Sequence, residues 1–238
     1  MMTPIYKRIL LKLSGEALAG PKGFGIDPLV IGQIADEIAQ VQLAGVQIGI
    51  VIGGGNFLRG ATAEGVSRVA GDTMGMLATV INSISLKENL LAKGCPAVVL
   101  NAVHIDRAGE LFTHDRAVEY LEEGTVVIIA GGTGNPFFTT DTAAALRCAE
   151  IGAEVILKAT KVDGIYDSDP MKNPNAVRFD SISHKEALSK DLKVMDATAF
   201  SFCMDNSIPI IIFKLLEKGN LRKCLEGQAA GSIIRTGG

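Results

Sequence analysis

The 238-residue chain carries no surplus of positive charge. Its 23 Lys and Arg stand against 26 Asp and Glu, a formal net charge of −3. Basic residues form no arm or extended run, so neither the overall field nor a local cluster favours direct binding to nucleic acid. Tryptophan is absent, and aromatic residues make up only 5% of the chain. The four cysteines, Cys95, Cys148, Cys203 and Cys224, form no CxxC pair and have no histidine at zinc spacing. Free buried thiols in a reducing cytoplasm are the expectation. His104, His114 and His184 do not cluster along the chain, which argues against a histidine-based metal site or triad. No uninterrupted apolar run approaches about 18 residues, so no membrane span is expected. The N-terminal segment lacks a signal-peptide pattern. The G-x-x-x-x-G-K-[ST] order of a P-loop is missing as well.

Glycine is the residue in excess: 27 positions, about 11% against a usual ~7%. The excess falls in short clusters after apolar runs, which indicates turns rather than disorder. Strands are expected over 9–13, 46–52, 97–101, 125–132 and 154–160. They are near-continuous in Val, Ile and Leu, as strands buried on both faces are. Between them lie helical patterns. Asp27-Pro28 supplies a cap and a first helical residue for 28–44, where Ile31, Ile34, Ile38 and Val41 keep helical spacing and Gly45 stops the run. Asp72 opens a long helix ending at Gly94, residues 113–124 form a short one, and Asp141 reads as the N-cap of another. The last third is less regular. Residues 161–179 read as a structured loop, 181–190, 196–206 and 219–227 as helices, 208–213 as a strand, and 231–236 as a final edge strand. No linker or repeat interrupts the pattern. The reading is one continuous domain over 1–238, a three-layer αβα sandwich with a mainly parallel central sheet. Glycine turns follow three of the strands at their C-terminal ends, the edge along which open α/β sheets bind ligands.

The motifs on that edge share a chemistry. In KLSG, residues 12–15, a lysine late in a strand precedes a Ser-Gly turn, where a point cation suits phosphoryl oxygens. In GGGNFLRG, residues 53–60, bare backbone can approach an anion and Arg59 can add a bidentate contact. The dinucleotide spacing G-x-G-x-x-G fails there, because position 58 is Leu. In GGTGNPFFTTD, residues 131–141, two hydroxyls, an Asn and two aromatics open a helix; exposed Phe137 and Phe138 would have to cover something flat or pack inward. In LKATKVDGIYDSDP, residues 157–170, Lys158 could face Lys12 across the crevice, and a Tyr and an Asp could frame a purine. Plain turns, caps and charged loops account for each segment taken singly. Together they are equipment for phosphoryl transfer without a protein nucleophile, which needs alignment and charge compensation, with Mg²⁺ on the nucleotide.

The segments LKLSGEAL, VIGGGNFLRG, GDTMGMLATVIN, GGTGNPFFTTDTAAALR and LKATKVDGIYDSDP together resemble the bacterial uridylate (UMP) kinases of the amino acid kinase superfamily, from about residue 7 to about residue 234. The resemblance implies direct in-line transfer from MgATP to UMP, reversible and without a covalent enzyme intermediate, in pyrimidine nucleotide biosynthesis. It implies ATP contacts at Lys12, Leu13, Ser14, Gly15, Gly55, Arg59, Thr160, Tyr166 and Asp169. It implies UMP contacts at Gly54, Asp72, Thr133, Gly134, Asn135, Pro136, Phe137, Phe138, Thr139 and Thr140. Catalytic roles fall on Lys12, Asp141, Lys158 and Arg59, with no protein-held metal beyond the Mg²⁺ carried by ATP. It further implies a cytoplasmic homohexamer, activated by GTP through Gly20, Pro21, Lys22, Gly23, Phe24 and Gly25 and inhibited by UTP. Two departures stand out: Ser232 where the family has Thr, and a slightly short segment between Arg59 and Asp72. Spacing alone does not specify uridine; another superfamily enzyme that phosphorylates a small carboxylate or carbamate has the same frame.

Overall fold

The structure is a computed structural model that describes residues 2–58, 65–168, 170, 172–192 and 194–236. In chain order the strands are β1 (Arg8–Leu13), β2 (Gln47–Ile52), β3 (Ala97–Asn101), β4 (Glu110–Leu111), β5 (Val126–Ala130), β6 (Ile156–Thr160), β7 (Ile165–Tyr166), β8 (Arg178–Phe179), β9 (Ser181–Ser183), β10 (Ile210–Lys214) and β11 (Gly231–Arg235). The helices are α1 (Gly15–Leu18), α2 (Pro28–Leu43), α3 (Arg68–Leu91), α4 (His114–Glu122), α5 (Thr140–Glu150), α6 (His184–Ser189), α7 (Ala197–Asp205) and α8 (Asn220–Leu225). Nine strands form one sheet in the order β4-β3-β5-β2-β1-β6-β10-β11-β9. Every pair is parallel except β10 with β11.

The apolar strands put one set of side chains on each face, as a two-residue period requires. Ile9, Leu11 and Leu13 of β1 pack with Ile31, Ile34 and Ile38 of α2, Leu86 and Leu90 of α3 and Leu221 of α8. Leu10, between them, belongs to the opposite layer with Ala144 and Cys148 of α5, Leu121 of α4 and Cys203 of α7. Helices therefore cover both faces of a mainly parallel sheet, as expected from the unbroken Val/Ile/Leu strands. The same alternation fixes two polar residues. Lys12 shares the face of Leu10, and Lys158 shares the face of Ile156, so both emerge on the α5 side. All four cysteines are buried free thiols.

Several local expectations are corrected. The helix expected to open at Asp72 begins four residues earlier, because Ser67 accepts from the Ala70 amide and caps it. Asp72 thus sits one turn inside α3. Asp141 is not the cap of α5; Thr139 is, accepting from the amides of Asp141 and Thr142. In 181–190 the first three residues form β9, and the helix starts only at His184. β11 is not at the edge, since β9 pairs outside it. Residues 161–179 contain the small antiparallel ribbon β7–β8. The two-residue strand β4 was not foreseen. Asp27 does cap α2, accepting from Leu29 and Val30, and Gly45 follows that helix at φ 86°.

Among the described residues one helix, α3, is long and apolar enough to cross a membrane by length and composition. Asp72, Thr73, Thr79, Asn82, Ser83 and Ser85 interrupt its apolar residues, so it holds no unbroken apolar run of spanning length. In this fold α3 buries Ala78, Val80, Leu86 and Leu90. Its polar Thr79, Asn82 and Ser83 are buried and hydrogen-bonded on the same side.

Candidate active site

β1 and β6 lie side by side, with Lys12 opposite Lys158 in the register. Two ammonium groups this close repel unless an anion stands between them, and Asp141 supplies it. Lys12 Nζ lies 2.8 Å from Asp141 Oδ1. Lys158 Nζ donates to Asp141 Oδ2 at 2.7 Å and to the Val194 carbonyl at 2.6 Å. The three side chains are only 10%, 15% and 12% exposed in the order Lys12, Asp141, Lys158. Burial pushes the Asp141 carboxyl up, but the two lysines outweigh it and hold it below the ordinary carboxylate range. Burial pulls the Lys158 ammonium down, Asp141 opposes that, and Lys12 adds to it. The trio carries a net charge of +1 in a shielded place beside the N-terminus of α5. It is built to receive an anion.

A second carboxylate holds this arrangement, and the sequence reading missed it. Asp196 caps α7 through the Ala199 amide at 3.0 Å. It also accepts from the Thr139 hydroxyl and from the Thr142 hydroxyl at 3.0 Å. Thr139 therefore caps α5 with its oxygen while giving its proton to Asp196. An Asp before an apolar helical run is visible in sequence as a cap. Its partnership with residues more than fifty positions away is not.

The glycine turn after β2 forms the next wall. The Gly53 amide donates to the Leu13 carbonyl at 2.9 Å, tying this turn to the end of β1. Gly54 is required by close approach: a Cβ there would fall 2.6 Å from the Gly75 carbonyl oxygen of α3. Behind the turn, Asn56 and Asn82 exchange two amide bonds, at 2.9 and 2.7 Å. Each spends its other N–H on a backbone carbonyl, Gly25 for Asn56 and Gly53 for Asn82, both at 2.8 Å. A buried polar network that is fully paired in this way is rigid.

In front of that turn is a cavity of about 310 Å³. The expected residues Gly54, Asp72, Thr133, Asn135, Phe138, Thr139 and Thr140 line it. Gly55, expected at the donor phosphates, lines it too, beside Gly54. Arg68, Met76 and Thr79 of α3 join them unforeseen. Thr79 bridges α3 to the facing loop by accepting from the Gly131 amide at 2.8 Å. Gly134, Pro136 and Phe137 are not among the lining residues. Phe137 and Phe138 are 64% and 50% exposed, so neither packs inward.

On the far side of the lysines a second cavity, of about 480 Å³, is lined by Thr160, Val162, Tyr166, Pro170, Leu192, Val194 and Ile212 among others. Its wall is braced from behind. Tyr166 donates to Asp163 at 2.6 Å, and Arg178 donates to the other oxygen of Asp163 at 3.1 Å. Ser232 accepts from the Ile165 amide at 2.8 Å and donates to the Phe179 carbonyl, joining the ribbon to β11. Arg59 and Asp169 lie outside the described residues. Ser14 stands at the N-cap of α1, and Gly15 begins that helix. Gly20, Pro21 and Lys22 form a single 3₁₀ turn, after which Gly23 and Gly25 take positive φ values of 70° and 74°. Phe24 packs edge-on against Phe57 at 5.8 Å between centroids. A further hollow between α2 and the segment after β10 lies away from the lysine pair and holds no residue of this set.

The model of the amino acid kinase family matches residues 7–214. A uridylate kinase of Bradyrhizobium sp. (strain ORS 278) is 51% identical over 98% of this chain and 99% of its own length. A uridylate kinase of Brucella anthropi is 53% identical over 97% of each chain. Among solved structures, the UMP kinase of Bacillus anthracis superimposes with a TM-score of 0.95 at 35% identity, covering 99% of this chain and 98% of its own. That of Ureaplasma parvum gives 0.91 at 36% identity, covering 97% and 99%. The chain belongs to the amino acid kinase family, and within that family it groups with the uridylate kinases.

Proposed function

We propose that the chain transfers the γ-phosphoryl group of ATP to UMP, reversibly, giving ADP and UDP for pyrimidine nucleotide synthesis. The observation that carries this reading is the Lys12–Asp141–Lys158 trio between two cavities. Thr140, next to Asp141, lines one of them, and Val194, which receives Lys158, lines the other. UMP occupies the smaller cavity, with Gly54, Asp72 and the 133–140 loop around it. Adenosine occupies the larger, against Thr160 and Tyr166. The phosphates meet over Lys12, Ser14, Gly15 and Gly55. Arg59 and Asp169 keep the roles that the family resemblance gives them.

In this reading each cation compensates charge that spreads over the transferring group, and the backbone amides of the glycine turns do the same. Asp141 keeps the two ammonium groups at a fixed separation and does not attack phosphorus. No nucleophilic side chain is needed, so transfer runs in line between the two nucleotides. Magnesium bound to the triphosphate supplies further neutralisation. The carboxylates of Asp141 and Asp196 are engaged by lysines and threonines. In the family resemblance the ion travels with ATP, whose phosphate oxygens would hold it. The cytoplasm, the compartment expected from four unpaired thiols, is where such nucleotides are made.

Coupled ADP release with UMP, CMP, AMP, dTMP, glutamate, aspartate and carbamate tests the acceptor. UMP is expected to exceed every other acceptor by at least about 100-fold in kcat/KM, well within the roughly 10⁴-fold discrimination that a site built on substrate hydrogen bonds achieves. Activity on a small acid with none on UMP would move the chain to another branch of the superfamily. The 131–141 loop speaks for UMP, since its hydroxyls and Phe138 offer more surface than a small acid covers.

A homohexamer and control by GTP and UTP belong to the same proposal. Assembly is supported by α3, which exposes Met74, Leu77, Ile81 and Ile84 on one face at three- and four-residue spacing, with Leu91 two turns further on. Ile81→Glu is expected to shift the protein to smaller species in light scattering, because a charge in an apolar interface is costly. An unchanged mass would take α3 out of the interface. Control through Gly20–Gly25 is supported by the bond from Asn56 to Gly25, which links that loop to the glycine turn beside the phosphates.

A further inference from the structure

Arg68 has no part in the chemistry above, yet it lines the acceptor cavity together with Asp72. It is the first residue of α3, and Asp72 lies one turn further on. Arg68 Nε donates to Asp72 Oδ2 at 2.7 Å. The backbone amide of Phe137 donates to the same oxygen at 2.8 Å. Phe137 is held at φ 71°, a left-handed conformation that bulky residues avoid and that a specific contact has to maintain. The Arg68 guanidinium completes a ring of contacts, 5.5 Å from the centre of the Phe137 side chain. Among the described residues no group donates to Asp72 Oδ1.

A carboxylate with two donors on one oxygen cannot rotate freely, and it presents its other oxygen in a fixed direction. We propose that Arg68 is a positioning residue for the acceptor sugar: with the Phe137 amide it occupies Oδ2 of Asp72, so that Oδ1 accepts from a ribose hydroxyl and the site selects a ribonucleotide over its deoxy counterpart. This rests on the reading of UMP as acceptor. Burial raises the Asp72 carboxyl, while the Phe137 amide and Arg68 outweigh it and hold it below the ordinary carboxylate range, which favours the form that only accepts. As a fold-stabilising pair the contact is minor, because Arg68 is 42% exposed and exposed i,i+4 pairs contribute little. Its loss therefore shows in substrate choice and leaves folding intact.

The test compares kcat/KM for UMP and 2′-deoxy-UMP in the natural protein, Arg68→Ala and Arg68→Lys, with amide exchange over residues 133–138 measured in parallel. Arg68→Ala is expected to narrow the ratio of UMP to deoxy-UMP by about tenfold, the scale of one hydrogen bond. The change should come through a higher KM for UMP, with kcat on UMP within about threefold and the KM for deoxy-UMP unmoved. Exchange over 133–138 should quicken, and Arg68→Lys should recover part of both effects. An unchanged ratio, or equal losses on both nucleotides, overturns the proposal. A natural protein that ignores UMP fails the acceptor reading before any variant is compared, and unchanged exchange in Arg68→Ala would then overturn the positioning role by itself.

Discussion

Asp141→Asn should lower kcat by about 100- to 1,000-fold, the scale of removing one preorganised electrostatic element, and leave UMP affinity within about threefold. The side chain keeps its size, so the acceptor cavity survives. What disappears is the negative charge that both Lys12 and Lys158 contact. Two shielded cations then face each other, and removing one partner of such a buried set costs about 3 kcal/mol. The variant should melt at a lower temperature than the natural protein and recover part of the difference when a nucleoside triphosphate supplies the missing anion. Its pH dependence follows by sign. Burial already pulls the Lys158 ammonium down and Asp141 holds it up. Without Asp141 that ammonium deprotonates at lower pH, so residual activity should fade on the alkaline side earlier than in the natural protein. Turnover, calorimetric UMP binding, thermal melting and a pH–rate profile measure all four. Unchanged turnover would remove Asp141 from the catalytic set.

Lys12→Ala should be nearly as damaging to turnover, about 100-fold or more in kcat, but with the opposite effect on the trio's balance. Asp141 keeps Lys158 as partner, the local charge falls from +1 to zero, and no repulsion replaces the lost pair. The variant should therefore be more stable than Asp141→Asn while similarly inactive. If Lys12 acts where charge develops during transfer, KM for ATP will change less than kcat. A rise in KM alone would make Lys12 a simple binding residue. Arg at this position should not restore the rate, since the side chain is nearly enclosed and a planar guanidinium cannot take the place of a point charge.

The chain announces much of this site through residues that act locally. Val, Ile and Leu runs ending in glycine give parallel strands and their C-terminal edge, and Lys12 and Lys158 are recognisable because each directly follows three such apolar residues. Caps are less certain. Thr139 and Asp141 both stand at the start of α5, and only the bond from Thr139 to Asp196 decides which of them faces the helix amides. Asp72 opens an apolar stretch, yet Ser67 captures the helix start before it. Short edge strands carry too few residues to show a period, which hides β4 and β9. Contacts distant in sequence are hidden altogether. The convergence of Asp196 on Thr142, of Ser232 on the β7–β8 ribbon and of Phe137 on Asp72 leaves no pattern in any one segment. The choice of uridine rests on the family resemblance and on the relatives, because no spacing encodes a base.

The paired asparagines behind the glycine turn have a consequence for inheritance. Each amide of Asn56 and Asn82 is donor and acceptor to the other, and each spends its remaining hydrogen on the backbone. Aspartate at either position would set oxygen against oxygen and strand a carbonyl, while an apolar residue would leave its partner unpaired. Neither position can drift alone without loosening the glycine turn after β2. The two codons are constrained as one unit, twenty-six residues apart in the chain and a single object in the fold.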